Sequence, residues 1–301
     1  MTEPEQMLAV RPAHVPPDRV VSFNSFIPFR DGLDLHQSWK VFQDETDHDI
    51  VWTPHNGGHW IALRGRDIET IQSDHERFTS HTVLIPKETM GAAYRFYPLS
   101  LDPPEHGPYR KLLNENLMPK SINPMEEKVR RLTIDLIEGF RPRGSCDFVH
   151  EFAEQLPLRI FMSMVDLPMS DLPKLKHLAE HYTRPGTMSL PEVTRQFHEY
   201  LAPVIQERRG KAGGDLLSKM INGQIKGRPV TDEEASNLAV QVLTGGLDTV
   251  VNFMGFVMVY LAENPDFRHI LAKDSSLISN AVMELLRRFP VLADAGEVKH
   301  D

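Results

Sequence analysis

The pattern of apolar and polar positions along this chain reads mostly as helix. It predicts helices over 35–44, 123–140, 149–165, 170–182, 189–209, 215–220 and 277–289. Two short apolar runs, Ile50-Val51-Trp52-Thr53 and His59-Trp60-Ile61-Ala62-Leu63, flank Pro54-His55-Asn56-Gly57-Gly58 and predict a β-hairpin. Asp102-Pro103-Pro104-Glu105 has the form of a helix start, with Asp102 as N-cap. Ser189-Leu190-Pro191-Glu192 is a second capping signature, and 183–187 is a short loop between helices. No alternating βαβ order is present, so the expected fold class is mainly α with a small β part, as a single domain over 1–301.

The longest apolar stretch is also the most unusual. Thr231-Asp232-Glu233-Glu234 predicts a capping box, and Asn264-Pro265 ends the segment. Between them lies a helix of about 30 residues, or about 45 Å at 1.5 Å per residue. It carries almost no charge, so it is expected to be buried on most sides. Gly245 and Gly246 interrupt it, at a cost of roughly 1 kcal/mol each relative to alanine. Asp248 and Thr249 follow at once. Two explanations stand side by side. The glycines allow close packing around a satisfied buried acid, or the helix is opened locally to admit something.

Composition narrows the function. Hydrophobic content of 41%, charged content of 25% and a formal net charge of -9 describe an ordinary globule and argue against a nucleic-acid binder. The polar, proline-rich start lacks a signal-peptide pattern, and the glycine-bearing helix, holding Asp248 and Asn252, is not expected to span a membrane. Cys146, the single cysteine, excludes an intrachain disulfide and fits a reducing, cytoplasmic setting. It is expected to be a small, semi-buried residue. His55/His59 and His177/His181 are pairs without a third ligand, and so poor metal sites.

Four segments, taken in order, resemble one family. They are Tyr94-Arg95-Phe96-Tyr97-Pro98, Asp102-Pro103-Pro104-Glu105-His106-Gly107-Pro108-Tyr109-Arg110, Gly245-Gly246-Leu247-Asp248-Thr249 and Glu284-Leu285-Leu286-Arg287. Together they resemble the cytochrome P-450 superfamily of heme-thiolate monooxygenases, and most nearly its soluble bacterial camphor-hydroxylase group. Gly57-Gly58-His59-Trp60-Ile61-Ala62 and Arg159-Ile160-Phe161-Met162 read the same way.

The resemblance implies heme b as cofactor, dioxygen and a small apolar, terpenoid-like molecule as substrates, and electrons from a ferredoxin-type partner. It implies that Asp248 and Thr249 are the catalytic acid and alcohol that relay protons, beside a groove opened where Gly245 and Gly246 let the helix widen. Arg110, His106 and Asp294 are implied as partners of the heme propionates, with Gly296 standing where the camphor-type enzymes carry a further arginine. Tyr94, Gln241, Thr244 and Leu292 are implied to line the substrate pocket. Glu284 and Arg287 are implied as a structural pair in a buried network. The family's axial cysteine is expected downstream of Asp301. The chain is therefore expected to be the N-terminal three quarters of a cytochrome P-450 fold, C-terminally incomplete, inactive alone and without a metal ligand of its own. A rival reading is a non-catalytic helical ligand-binding protein that has lost the heme thiolate.

Overall fold

The computed structural model describes residues 8–83, 85, 96–183, 188–292 and 296–299. Tyr94 and Asp294 lie outside the described residues. The chain divides into two compact units. One comprises 1–94, 100–103 and 294–301, and the other 95–99 and 104–293.

In the first unit, α1 (Leu35–Glu45) begins on a full capping box, in which the Asp34 side chain accepts from the Gln37 N–H and the Gln37 side chain accepts from the Asp34 N–H. Strands β1 (Ile50–Thr53) and β2 (His59–Ala62) form the predicted antiparallel hairpin, in the register Ile50↔Ala62 to Thr53↔His59. Its connection spans 54–58, with Asn56 and Gly57 at φ 55° and 82°. Gly58 is required there, because a Cβ would lie 2.7 Å from the Trp52 ring. Phe23, Phe42, Val51, Ile61 and Leu63 form the core of this unit. Helix α2 (Gly65–Ser73) and strand β3 (Phe78–Thr79) follow.

The predicted role of Asp102 is corrected. Asp102 caps no helix, since the next helix begins at His106. Its carboxylate accepts instead from Ser80 N at 2.9 Å, Thr79 Oγ1 at 2.7 Å and Lys299 Nζ at 2.9 Å. Burial opposes its charge, but these donors outweigh it and hold the acid at about 2.

The second unit is helical: α3 (His106–Leu117), α4 (Pro119–Ile122), α5 (Glu126–Phe140), α6 (Gln155–Val165, entered through a π-turn at Val149–Ala153), α7 (Leu172–Thr183), α8 (Leu190–Arg208) and α9 (Leu216–Ile221). The small ribbon β4 (Gln224–Ile225) and β5 (Arg228–Pro229) leads into α10 (Asp232–Leu247). Then come α11 (Thr249–Glu263), α12 (Pro265–Lys273) and α13 (Ile278–Arg288). Strand β6 (Glu297–Val298) pairs with β3 in the first unit. Ser189 sits at the N-cap of α8 with extended backbone, but its side chain makes no capping bond.

Helix α10 packs against α6, α7, α8 and α9, and its apolar face supplies Leu238, Ala239, Val240, Leu243 and Leu247 to the core. Asp232–Glu263 is long enough to cross a bilayer, with a mean hydropathy of 1.6 in its most apolar 18-residue window. It is two helices rather than one, and the first is packed as a core helix. The expectation of burial on most sides holds for α10 and fails for α11. Of α11 only Val251 is buried, while Val250 and Val259 are exposed.

Candidate functional site

The site is built around the interruption between α10 and α11. Thr231 and Glu234 form the predicted capping box: Thr231 Oγ1 accepts from Glu234 N at 3.2 Å, and Glu234 Oε2 accepts from Thr231 N at 2.9 Å. From there the helix runs regularly to Leu247. Asp248 then leaves helical geometry at φ −128°, ψ −45°, and the ladder restarts at Thr249. Across the gap, Thr249 Oγ1 donates to the carbonyl oxygen of Gly245 at 2.9 Å. A side chain has taken over a carbonyl that a regular helix gives to the backbone N–H four residues on.

The two glycines do different work. A Cβ at Gly246 would stand 2.3 Å from Cε2 of Phe161 in α6, so Gly246 permits the close approach of two helices. A Cβ at Gly245 would meet nothing within 4 Å. Gly246 therefore serves the close packing of α10 on α6, while Gly245 is exposed with open space beside it, and Asp248 is half-buried rather than buried. Gln241, one turn before Gly245, is half-buried, and its Oε1 is buried without a hydrogen-bond partner. Thr244 is almost fully buried and donates to Val240 O at 2.9 Å, which commits its hydroxyl to its own helix.

His106 and Arg110 lie four residues apart on α3, beside the face that buries Tyr109, Leu112 and Leu113. His106 is half-buried and Arg110 exposed, and neither forms an ion pair among the described residues. Tyr109 between them donates its hydroxyl to Glu234 Oε1 at 2.7 Å. Arg228 donates to both oxygens of the same carboxylate, at 2.8 and 2.6 Å. The Arg228 bonds, above all, hold Glu234 at about 2, against the opposing pull of burial. The sequence reading treated Glu234 only as a capping residue and did not weigh Tyr109. A tyrosine on the helix's apolar side was the available signal.

Glu284 and Arg287 make the expected pair, at 2.8 and 2.7 Å, but both side chains are more than half exposed. The burial implied for this pair is not found in this chain. Leu292 is exposed at 68%. Cys146 is exposed rather than semi-buried, in the connection that follows α5. The His181 ring bonds to His177 O at 2.9 Å, and the described residues contain no group of three potential metal ligands.

These features fit a flat, apolar group with an acidic edge. His106 and Arg110 on α3 form no ion pair among the described residues, Gly245 leaves open space at its helix, and α11 presents apolar side chains. No described residue is assigned as a ligand to a metal in such a group.

No protein-family model matches the chain. Among solved structures, CYP101J2 superposes with a TM-score of 0.88 at 58% identity, over 96% of this chain and 73% of that one. The cytochrome P450 CYP101C1 superposes with a TM-score of 0.84 at 38% identity, over 97% and 73%. Among curated proteins, the probable cytochrome P450 127A1 of Sinorhizobium fredii is 28% identical over 288 residues, which is 92% of this chain and 69% of that protein.

Proposed function

The chain belongs to the cytochrome P450 superfamily, and from that premise we propose that it frames the substrate and dioxygen pocket of a heme-dependent monooxygenase for a small, apolar, terpenoid-like ring compound. Heme b, when bound, supplies an iron that binds and activates dioxygen. Arg110 would grip one heme carboxylate in the bidentate manner of a guanidinium, and His106, one turn away, would reach another. Asp294 would add a polar partner at the same edge. Gly245 keeps its side of α10 clear for small molecules. Gln241, Tyr94 and Leu292 would meet the substrate, while Thr244 shapes the helix that carries them.

Thr249 holds a proton at the break, between the apolar runs of α10 and α11. Its hydroxyl hydrogen rests on Gly245 O, which leaves the oxygen lone pairs open to accept. Rotation about Cβ–Oγ turns that hydrogen into the pocket. Asp248, adjacent at the break, would return a proton to Thr249 from outside. The observation that carries the reading is this break, with a hydroxyl bridging the glycine carbonyl across it. Electrons would come from a ferredoxin-type partner docking near the exposed cations of α3, where charge chiefly sets on-rate and selectivity.

The test uses the complete, heme-loaded enzyme. Small cyclic terpenoids should shift its Soret band, and labelled dioxygen should place one labelled oxygen in the product. A panel that gives neither a spectral shift nor labelled product would sink the proposal.

A further inference from the structure

Glu234 is the best-satisfied acid in the helical unit. Its carboxylate receives Tyr109 Oη and an Arg228 nitrogen on one oxygen, and the other Arg228 nitrogen and Thr231 N on the second. Both Tyr109 and Glu234 are 9% exposed. A carboxylate with four donors, mostly shielded from water, is a rigid anchor, because losing a donor leaves an acceptor unpaired. It joins the first turn of α3 to the first turn of α10.

Two further contacts spread from Tyr109. Its ring stacks on Tyr97, with centroids 5.3 Å apart. The neighbouring Phe96 packs edge-on against Tyr182 of α7, at 5.2 Å. One side chain therefore ties α10 to α3 and to the segment that follows Tyr94. Arg110 is the next residue after Tyr109 on α3. It has no ion pair among the described residues to set its direction, so its position is inherited from the helix.

We propose that Tyr109 and Glu234 are positioning residues for Arg110: their hydrogen bond fixes the placement of α3 and so the aim of its guanidinium at the cofactor's carboxylate. This rests on the reading that Arg110 takes a heme propionate. A bidentate pair is sensitive to small rotations of its helix, which is why an anchor one residue away matters.

The experiment is a double-mutant cycle on heme release, measured by transfer of heme from the complete, loaded enzyme to an excess of apomyoglobin. Tyr109→Phe keeps the ring and its stacking and removes only the hydroxyl. Alone it should speed release on the order of tenfold, as for loss of one hydrogen bond to a charged group. Arg110→Ala alone should speed release by at least as much. In the Arg110→Ala background, Tyr109→Phe should add less than about twofold, because it acts through the arginine. Thermal stability, measured in parallel, should fall equally in both backgrounds. Additive effects on release would overturn the proposal, and so would no effect of Tyr109→Phe beside a clear effect of Arg110→Ala. If Arg110→Ala leaves release unchanged, the propionate reading of Arg110 is wrong, and this inference falls with it.

Discussion

Thr249 donates its hydroxyl hydrogen to the carbonyl oxygen of Gly245 at 2.9 Å, across the residue where the α10–α11 ladder is interrupted. The bond explains how a break can persist in an apolar helix. A carbonyl left without its usual donor is capped locally, and the departure from helical geometry stays confined to one residue. It also puts the Thr249 hydroxyl against the backbone of Gly245, whose own Thr244 neighbour has its hydroxyl committed to Val240 O.

That placement predicts how the complete enzyme responds to Thr249→Ala. Heme and substrate binding should stay close to wild type. Electrons should still be consumed, but hydroxylated product per electron should fall about a hundredfold, the low end of what a positioned proton donor contributes. The balance should leave as hydrogen peroxide. Asp248→Asn should instead slow electron use and product together, since it removes the ionisable carrier. Simultaneous assay of electron donor, peroxide and product decides the matter. Full coupling in Thr249→Ala would return the pair to a packing role.

The glycines should separate in a stability measurement. Gly246→Ala drives a methyl into the Phe161 ring, an overpacking that typically costs about 1–3 kcal/mol. Gly245→Ala meets no atom within 4 Å and gains helix propensity, up to about 1 kcal/mol. Denaturant midpoints should therefore move in opposite directions. Phe161→Leu should relieve part of the Gly246→Ala loss if the clash is its cause.

Glu234 gives a stability change with a defined pH window. Its folded pKa of about 2 lies below its ordinary value of 4.5. The stabilisation is therefore fully present above about pH 4.5 and is lost as the pH falls towards 2. A shift of this size amounts to at most about 3 kcal/mol. Glu234→Gln should be clearly less stable than wild type at pH 6, and the gap should narrow below about pH 4.5 and close as the pH approaches 2. A gap that is constant with pH would mean that the ion pair with Arg228 contributes nothing measurable.

Much of this was legible from residue order. The capping box at Thr231, the hairpin at 50–62 and the weak point at Gly245-Gly246 follow from local chemistry, which a sequence shows directly. The sequence could not tell the two glycines apart, because that depends on Phe161, 85 positions earlier and on another helix. Asp102 looked like a helix cap because Pro103, Pro104 and Glu105 follow it. Ser80, Thr79 and Lys299 outcompete the local signal. The Tyr109–Glu234 bond, at a separation of 125 residues, was equally out of reach. Glu284 and Arg287 paired as their spacing implied, but burial is a property of what covers a helix, and spacing does not report it.

Cysteine content makes a spectroscopic prediction for the 301-residue chain. Its one cysteine, Cys146, is exposed and lies in a connection after α5. Heme added to this chain, reduced and exposed to carbon monoxide, should not give the red-shifted Soret band of a thiolate-ligated iron. If that band appears and vanishes in Cys146→Ser, the assignment of Cys146 as a bystander is wrong.

The last prediction concerns surface chemistry. Val250 and Val259 of α11, and Val282, Met283 and Leu286 of α13, are all exposed in the 301-residue chain. Exposed apolar side chains in this number on a free protein promote association and bind hydrophobic probes. Helix α11 draws little stabilisation from burial, since only Val251 is buried, although Phe289 stacks on Phe256 at 6.2 Å. Helix α10 is held by four neighbouring helices. The two halves of the long segment should therefore differ in stability, with hydrogen exchange fast in 249–263 and slow in 232–247. The chain should also bind a hydrophobic dye and self-associate as its concentration rises. Uniform protection across Asp248, together with a sharp melt of a dye-negative monomer, would show that α11 is stabilised by contacts other than those described here.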